Sequence, residues 1–305
     1  MPPLAIMEVS PDLANKRLVI VGCGYVGTAV ARLARPAGLR VEALTRNPAR
    51  AAELDKLGVK AVVADLGTEY WHERIAPGAD LVLNCVSSGG SSLDSYRRSY
   101  VEGMRSLLAW AGRGAVGTLV YTSSTSVYPQ EGGMIEETAP TTGAGDTAQI
   151  LLEAEDLLRA SGAGIGRWFI LRLAGIYGPG RHHLLDQLRL GANELAGSGD
   201  HRLNLVHQGD IVAAIFAAFG APTAAGNQIF NVADDAPAPK SEVVRWLAER
   251  LGRSPPRFAG GAASTRRGFA APPDRVISNG KIKATLGWRP EYPSFREGYA
   301  AILSA

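Results

Sequence analysis

Cysteine is scarce in this chain of 305 residues: there are two, Cys23 and Cys85. Two are too few for a disulfide framework, and the expected setting is a reducing cytoplasm. No run of about 18 apolar residues occurs, so no membrane span is expected. No basic run exceeds a pair and the net charge is only +3, which excludes the clustered Lys and Arg of a nucleic-acid footprint. Residues 1–15 lack a basic start and a sustained apolar stretch, so they read as a flexible arm rather than a signal peptide. There is no internal repeat. What is present is an apolar fraction of 46%, ample for a sizeable core, broken by 36 glycines and 18 prolines that imply many tight turns.

The most informative stretch is Leu18 to Val30, an apolar strand, a glycine turn and a helix start. Gly22, Gly24 and Gly27 have the spacing G-x-G-x-x-G. Gly22 allows the tight turn, Gly24 lets backbone approach a pyrophosphate, and Gly27 lets helix and strand pack closely. The phosphate would rest on the free N–H groups that open the helix, at Tyr25 and Val26.

Strand and helix then alternate. Strands are predicted at Arg17–Val21, Arg40–Thr45, Val59–Asp65, Ala79–Val86, Gly117–Ser123 and Trp168–Leu173. Helices are predicted at Gly24–Ala37, Pro48–Leu57 and Leu93–Ala111, with another over Glu153–Ala160. This pattern specifies an α/β, Rossmann-type, doubly wound parallel sheet. It divides into a dinucleotide-binding domain over 16–174 and a smaller C-terminal α/β substrate lobe over 175–305, with chain exchange between them. In the lobe, Asp210–Phe219 and Lys240–Leu251 read as helices, the second capped near Ser241, and Gln228–Val232 as a strand. Arg253–Pro273 has no period and reads as a loop.

Ligands in such sheets lie at the carboxyl ends of the strands. Those ends here are small or polar: the glycine turn, Thr45-Arg46, Asp65-Leu66, Val86-Ser87 and Thr122-Ser123-Ser124. An acidic residue after the second strand would favour NAD. Arg46 stands there instead and suits a 2′-phosphate, so NADP is favoured, with NAD the alternative.

Several motifs occur in order: the glycine turn, Asp65-Leu66, Tyr121 to Tyr128, Leu171 to Gly180, Asn204 to Asp210, Phe230-Asn231-Val232 and Leu286 to Pro290. On these the chain resembles the extended short-chain dehydrogenase/reductase superfamily, the group of NAD(P)-dependent epimerases and dehydratases, and within it the atypical YeeZ-like branch. The resemblance spans about Lys16 to Leu303. It implies a small-molecule carbonyl, alcohol or sugar-nucleotide-like substrate. It also makes a homodimer plausible, through helices near 93–111 and 150–160. Active relatives use Tyr-x-x-x-Lys, with a serine and an asparagine; the lysine tunes the phenol for acid–base work. No Tyr-x-x-x-Lys occurs in this chain. Thr147 falls at the tyrosine position, Leu151 at the lysine, and Tyr100 near the asparagine; Ser124 keeps the serine role.

The candidate catalytic residues are therefore Ser124, Tyr100, Thr147 and His182. Ser124 either polarises a carbonyl or satisfies backbone at a strand end. Tyr100 either fills the vacated acid region or belongs to an apolar stripe. His182 and His183 follow a Gly-Pro-Gly turn that would bring one of them to the cleft; no third ligand accompanies them, so no metal is expected. His207 is a candidate cleft residue and Asp210 a helix cap. Arg181 and Arg275 are candidates for holding phosphate or carboxylate. The two cysteines read as small buried thiols beside the glycine turn. Loss of the tyrosine–lysine pair also admits a nucleotide-binding sensor without turnover.

Overall fold

Side chains on the first strand alternate between two cores, as a strand buried on both faces requires. In β1 (Arg17–Val21), Leu18 and Ile20 enter one apolar cluster while Val19 and Val21 enter another. The computed structural model describes residues 9–141, 145–260 and 274–305. Its central sheet has seven strands: β1, β2 (Arg40–Thr45), β3 (Lys60–Val63), β4 (Ala79–Asn84), β5 (Val116–Ser124), β6 (Ile165–Leu173) and β7 (Gln228–Val232). All are parallel, in the order β7-β6-β5-β4-β1-β2-β3. The order reverses between β1 and β4, which places a crevice at their carboxyl ends.

One face is covered by α1 (Tyr25–Ala34) and, from far along the chain, α7 (Gln208–Phe219). Between these in sequence lie α2 (Pro48–Lys56), α3 (Leu93–Arg97), α4 (Gly103–Ala111), α5 (Asp146–Arg159) and α6 (His183–Arg189). The other face carries α4 and α5, through Met104, Leu107, Trp110, Ala154 and Leu158. A third cluster joins α6, α8 (Lys240–Arg250) and α10 (Phe295–Leu303), with α9 (Gly280–Leu286) before α10.

The structure corrects several predicted boundaries. The helix expected over 93–111 contains a π-helical turn at Arg98–Glu102. The helix expected from Glu153 begins at Asp146. Residues 9–15 are not a loose arm: Pro11–Leu13 form a 3₁₀ turn, Leu13 is buried in the core, and Asn15 N–H donates to Gly38 O at 3.0 Å. The N-cap of α8 is Pro239, two residues before Ser241, and no side chain caps the helix. Within the expected loop at 253–273, Arg257–Phe258 pairs with Glu194–Leu195; the rest of that stretch, 261–273, lies outside the described residues.

A buried ion pair ties α5 to the sheet. Arg172 of β6 meets Glu155 of α5 at 2.6 Å, both almost wholly buried. Ser123 Oγ donates to Glu155 Oε1 at 2.6 Å. Arg172 Nη1 donates to Tyr128 Oη at 2.8 Å, and Tyr128 donates in turn to Asn231 Oδ1 at 2.8 Å. One network thus joins β5, β6, β7 and α5.

A second polar seam joins α7 to the segment that precedes α10. The Asp210 carboxylate accepts the N–H of Glu291 at 2.6 Å and of Tyr292 at 3.3 Å. Asp210 is therefore an interior residue of α7, and His207 is the N-cap, its Nδ1 accepting from Gly209 N–H at 3.2 Å. Burial pushes the Asp210 carboxyl up to about 7 and that of Asp234 up to about 8. Burial pushes His207 down to about 4.

Two stability predictions follow from these contacts. Breaking a buried pair leaves an uncompensated charge and costs about 3–5 kcal/mol. Arg172→Met should lower the urea-unfolding free energy by that amount, and Glu155→Leu with Arg172→Met should recover part of it. For Asp210 and Asp234 the folded pKa lies above the unfolded one, so their stabilisation is lost as pH rises towards 8. His207 is shifted the other way and loses stability only below its ordinary pKa near 6.5. Between pH 6.5 and 8 the carboxyls act alone, and urea unfolding should show stability falling across that window. Asp234→Asn should flatten the fall; an unchanged slope would refute the assignment.

Candidate active site

The glycine turn links β1 to α1 because no other residue fits its first position. Gly22 has φ +74°, and a Cβ there would lie 2.6 Å from Val86 N. Gly24 N–H closes the turn onto Gly22 O at 2.7 Å. A Cβ on Gly24 would meet only Gly22 O, at 3.8 Å, and so would project into the crevice. At Gly27 the helix touches the sheet: a Cβ would lie 2.9 Å from Cys85 Sγ and 3.2 Å from Cys23 Sγ. Both cysteines are buried free thiols, and burial raises both pKa values, that of Cys23 to about 12. The N–H groups in the first turn of α1 lack intrahelical acceptors and open onto the crevice.

Two cavities share the walls of that crevice. One, of about 180 Å³, is lined by Gly22, Gly24, Thr45, Arg46, Asp65, Leu66, Val86 and Ser87, among others. The other, of about 200 Å³, is lined by Gly24, Tyr25, Val26, Val86, Ser87, Tyr100, Thr122, Ser123, Ser124 and Arg181, among others. Gly24, Val86 and Ser87 belong to both, so the two form one trough over the phosphate turn. A dinucleotide fits this donor set: glycine backbone and helix N–H at the centre, a cation at one end, hydroxyls at the other. A larger hollow of about 510 Å³ lies at the opposite strand ends. Its Arg167 already donates to Thr118 Oγ1 and to the carbonyls of Phe219, Ala221 and Pro222.

At the first end, Arg46 is exposed, with Nη2 3.5 Å from Ser87 O. Thr45 Oγ1 accepts Asn47 N–H at 3.3 Å, fixing the loop that carries Arg46. Asp65 accepts Gly67 N–H at 2.9 Å and lies 3.2 Å from Arg98. At the second end, Ser124 is half-buried and its Oγ accepts Ser126 N–H at 3.2 Å. Tyr100 sits inside the π turn, a distortion frequent at functional sites, and its Oη accepts Ser88 N–H at 3.4 Å.

Other candidates fall outside the trough. Thr147 does not line it; its Oγ1 is buried with no hydrogen-bond partner among the described residues. Leu151 is buried in the apolar core beneath. His182 is the N-cap of α6 and its Nδ1 lies 2.8 Å from Asp186, while His183 is exposed; neither lines the cleft. His207 is buried against Tyr177 and Tyr292 rather than facing the cleft. Arg275 donates to the carbonyls of Thr125, Tyr128 and Pro129, so it staples a loop and does not face a ligand. Sequence reasoning missed the Glu155–Arg172 pair beneath Ser123. A charge inside the apolar run Phe169-Ile170-Leu171-Arg172-Leu173 was its available signal.

Comparison with known proteins agrees with this geometry. Residues 18–233 match the model of the NAD dependent epimerase/dehydratase family. The chain is 28% identical over 286 residues to Protein YeeZ of Escherichia coli (strain K12), covering 91% of this chain and 97% of that protein. It is 30% identical over 259 residues to 2-alkyl-3-oxoalkanoate reductase of Stenotrophomonas maltophilia (strain K279a), covering 78% of this chain and 76% of that one. The fold matches that of MoeE5 in complex with UDP-glucuronic acid and NAD, with a TM-score of 0.81 at 21% identity over 94% of this chain and 98% of that one. With its glycine turn, its parallel sheet and the crevice between them, the chain belongs to the NAD dependent epimerase/dehydratase family.

Proposed function

We propose that the protein is an NADP(H)-dependent oxidoreductase acting on a carbonyl or alcohol group of a small molecule. The observation that carries this reading is the single trough in which the phosphate turn and the hydroxyls of Ser124 and Tyr100 share walls. The likeness to an oxoalkanoate reductase supports carbonyl chemistry. Arg46 supports NADP: an exposed guanidinium where an acidic residue would bind a ribose hydroxyl can hold a 2′-phosphate by charge-assisted bonds.

The bound dinucleotide supplies the hydride donor or acceptor. Ser124 Oγ would hydrogen-bond the substrate oxygen, and the Tyr100 phenol would supply the proton that this oxygen takes. Water returns the proton to Tyr100. The mechanism thus differs from that of relatives with a tyrosine–lysine pair, because Leu151 brings no cation and Thr147 no phenol. That same loss favours a second reading, a nucleotide-binding sensor without turnover.

Titration of the purified chain with NADPH and NADH, followed by nicotinamide fluorescence, tests the cofactor. NADPH should bind more tightly, and Arg46→Ala should weaken it by roughly 10- to 150-fold, the equivalent of one charge-assisted contact of about 1.5–3 kcal/mol, while leaving NADH unchanged. Equal affinities in the unaltered protein would refute the NADP assignment. NADPH oxidation with 2-alkyl-3-oxoalkanoates then tests the chemistry. Ser124→Ala and Tyr100→Phe should each lower kcat about a hundredfold without altering NADPH affinity. Tight NADPH binding with no turnover, on these or on nucleotide sugars, would establish the sensor instead.

A further inference from the structure

The loop 85–92 joins β4 to α3 and carries two consecutive glycines, Gly89 and Gly90. Neither has a positive φ, so the backbone there does not call for glycine. At Gly89 the space of the missing side chain is filled by another residue. A Cβ there would lie 2.8 Å from Arg46 Nη2, 2.9 Å from Nη1 and 3.2 Å from Cζ. The guanidinium thus rests on the bare backbone of Gly89, with Nη2 3.5 Å from Ser87 O. Arg46 follows β2 and Gly89 follows β4, and β1 runs between those two strands. The side chain therefore spans the width of β1, and it lines the same cavity as Gly22 and Gly24. The loop is held from its far side. Ser88 Oγ accepts Gly90 N–H at 3.2 Å and lies 3.1 Å from Ser95 Oγ, and Ser88 N–H donates to Tyr100 Oη at 3.4 Å. Ser92 caps α3, its Oγ accepting Ser95 N–H at 3.2 Å. Among the described residues the Arg46 guanidinium meets no carboxylate, so the loop is what sets its direction.

We infer that Gly89 is a specificity-determining residue for the cofactor: its bare backbone seats the Arg46 guanidinium at the cavity wall. An exposed arginine samples many rotamers, and fixing one of them on binding costs affinity. A seat that holds the guanidinium in place beforehand removes that cost. Gly89 acts through Arg46 and touches no ligand, so it is a positioning residue. This inference rests on the reading that Arg46 takes the 2′-phosphate of NADP(H). A cofactor without that phosphate gains nothing from the seat. Preference for NADPH then needs two features on strands either side of the glycine turn, a cation after β2 and the absence of a side chain after β4.

Gly89→Ala tests this directly. The backbone admits a side chain at that position, and the atoms in its way are the far end of a flexible arginine, so the urea-unfolding free energy should not change. NADPH and NADH are titrated calorimetrically into the unaltered full chain, Gly89→Ala, Arg46→Ala and the double variant. Gly89→Ala should weaken NADPH about fivefold and leave NADH unchanged. In the Arg46→Ala chain the same substitution should alter neither cofactor, because no guanidinium remains to be displaced. An NADPH preference that depends on Arg46 but survives Gly89→Ala would overturn the inference and leave the cofactor reading standing. So would a Gly89→Ala variant that loses NADPH and NADH alike, or that weakens NADPH in the Arg46→Ala chain too, since the loop would then act without Arg46. Equal affinities in the unaltered chain, with Arg46→Ala silent, would refute the NADP reading and the inference together.

Discussion

A guanidinium and a carboxylate, 2.6 Å apart and out of reach of water, form the floor on which the cleft stands. Arg172 reaches from β6 and Glu155 from α5, and each is nearly useless without the other, because an unpaired buried charge is costly. The pair also fixes what lies above it. Glu155 takes the Ser123 hydroxyl, which orients the end of β5 and hence Ser124. Arg172 holds the Tyr128 phenol, whose backbone carbonyl in turn receives Arg275. The strand end, the loop after it and the crossing helix are therefore one polar unit. Removing a member displaces the hydroxyl surface facing the substrate as well as weakening the core.

Much of this architecture was readable in the chain. The parallel sheet was legible because apolar runs alternate with helical periodicity, and that alternation is a local property. The glycine turn was legible for the same reason: Gly22 and Gly27 are required by contacts with strands a few residues away in space. What sequence could not supply was direction. Periodicity marks 93–111 as helical but does not register the extra residue of the π turn, which turns Tyr100 towards the trough. Adjacent His182 and His183 looked suited to the cleft, yet the first side chain lies against Asp186 on its own helix. Arg181 and Arg275 were indistinguishable as residue types. Burial separates them, since three loop carbonyls take Arg275 while Arg181 is exposed at the cleft wall.

The residues that the resemblance sets at the tyrosine and lysine positions, Thr147 and Leu151, are both buried. Leu151 joins the apolar core beneath the cleft, so the helix gains burial where relatives of the tyrosine–lysine type carry a cation. Thr147 is short and buried, and its hydroxyl does not reach the trough. Ser124 on β5 and Tyr100 in the π turn line a common cavity.

Tyr25 ties the helix after the glycine turn to the Gly-Pro-Gly turn. It opens the phosphate-binding helix, its backbone carbonyl is held by Gln208, and its phenol is held by Pro179 O. Burial raises the phenol to about 12, so it stays protonated throughout the working range and keeps donating to that carbonyl. The turn carrying Arg181 cannot drift from the helix without breaking this bond.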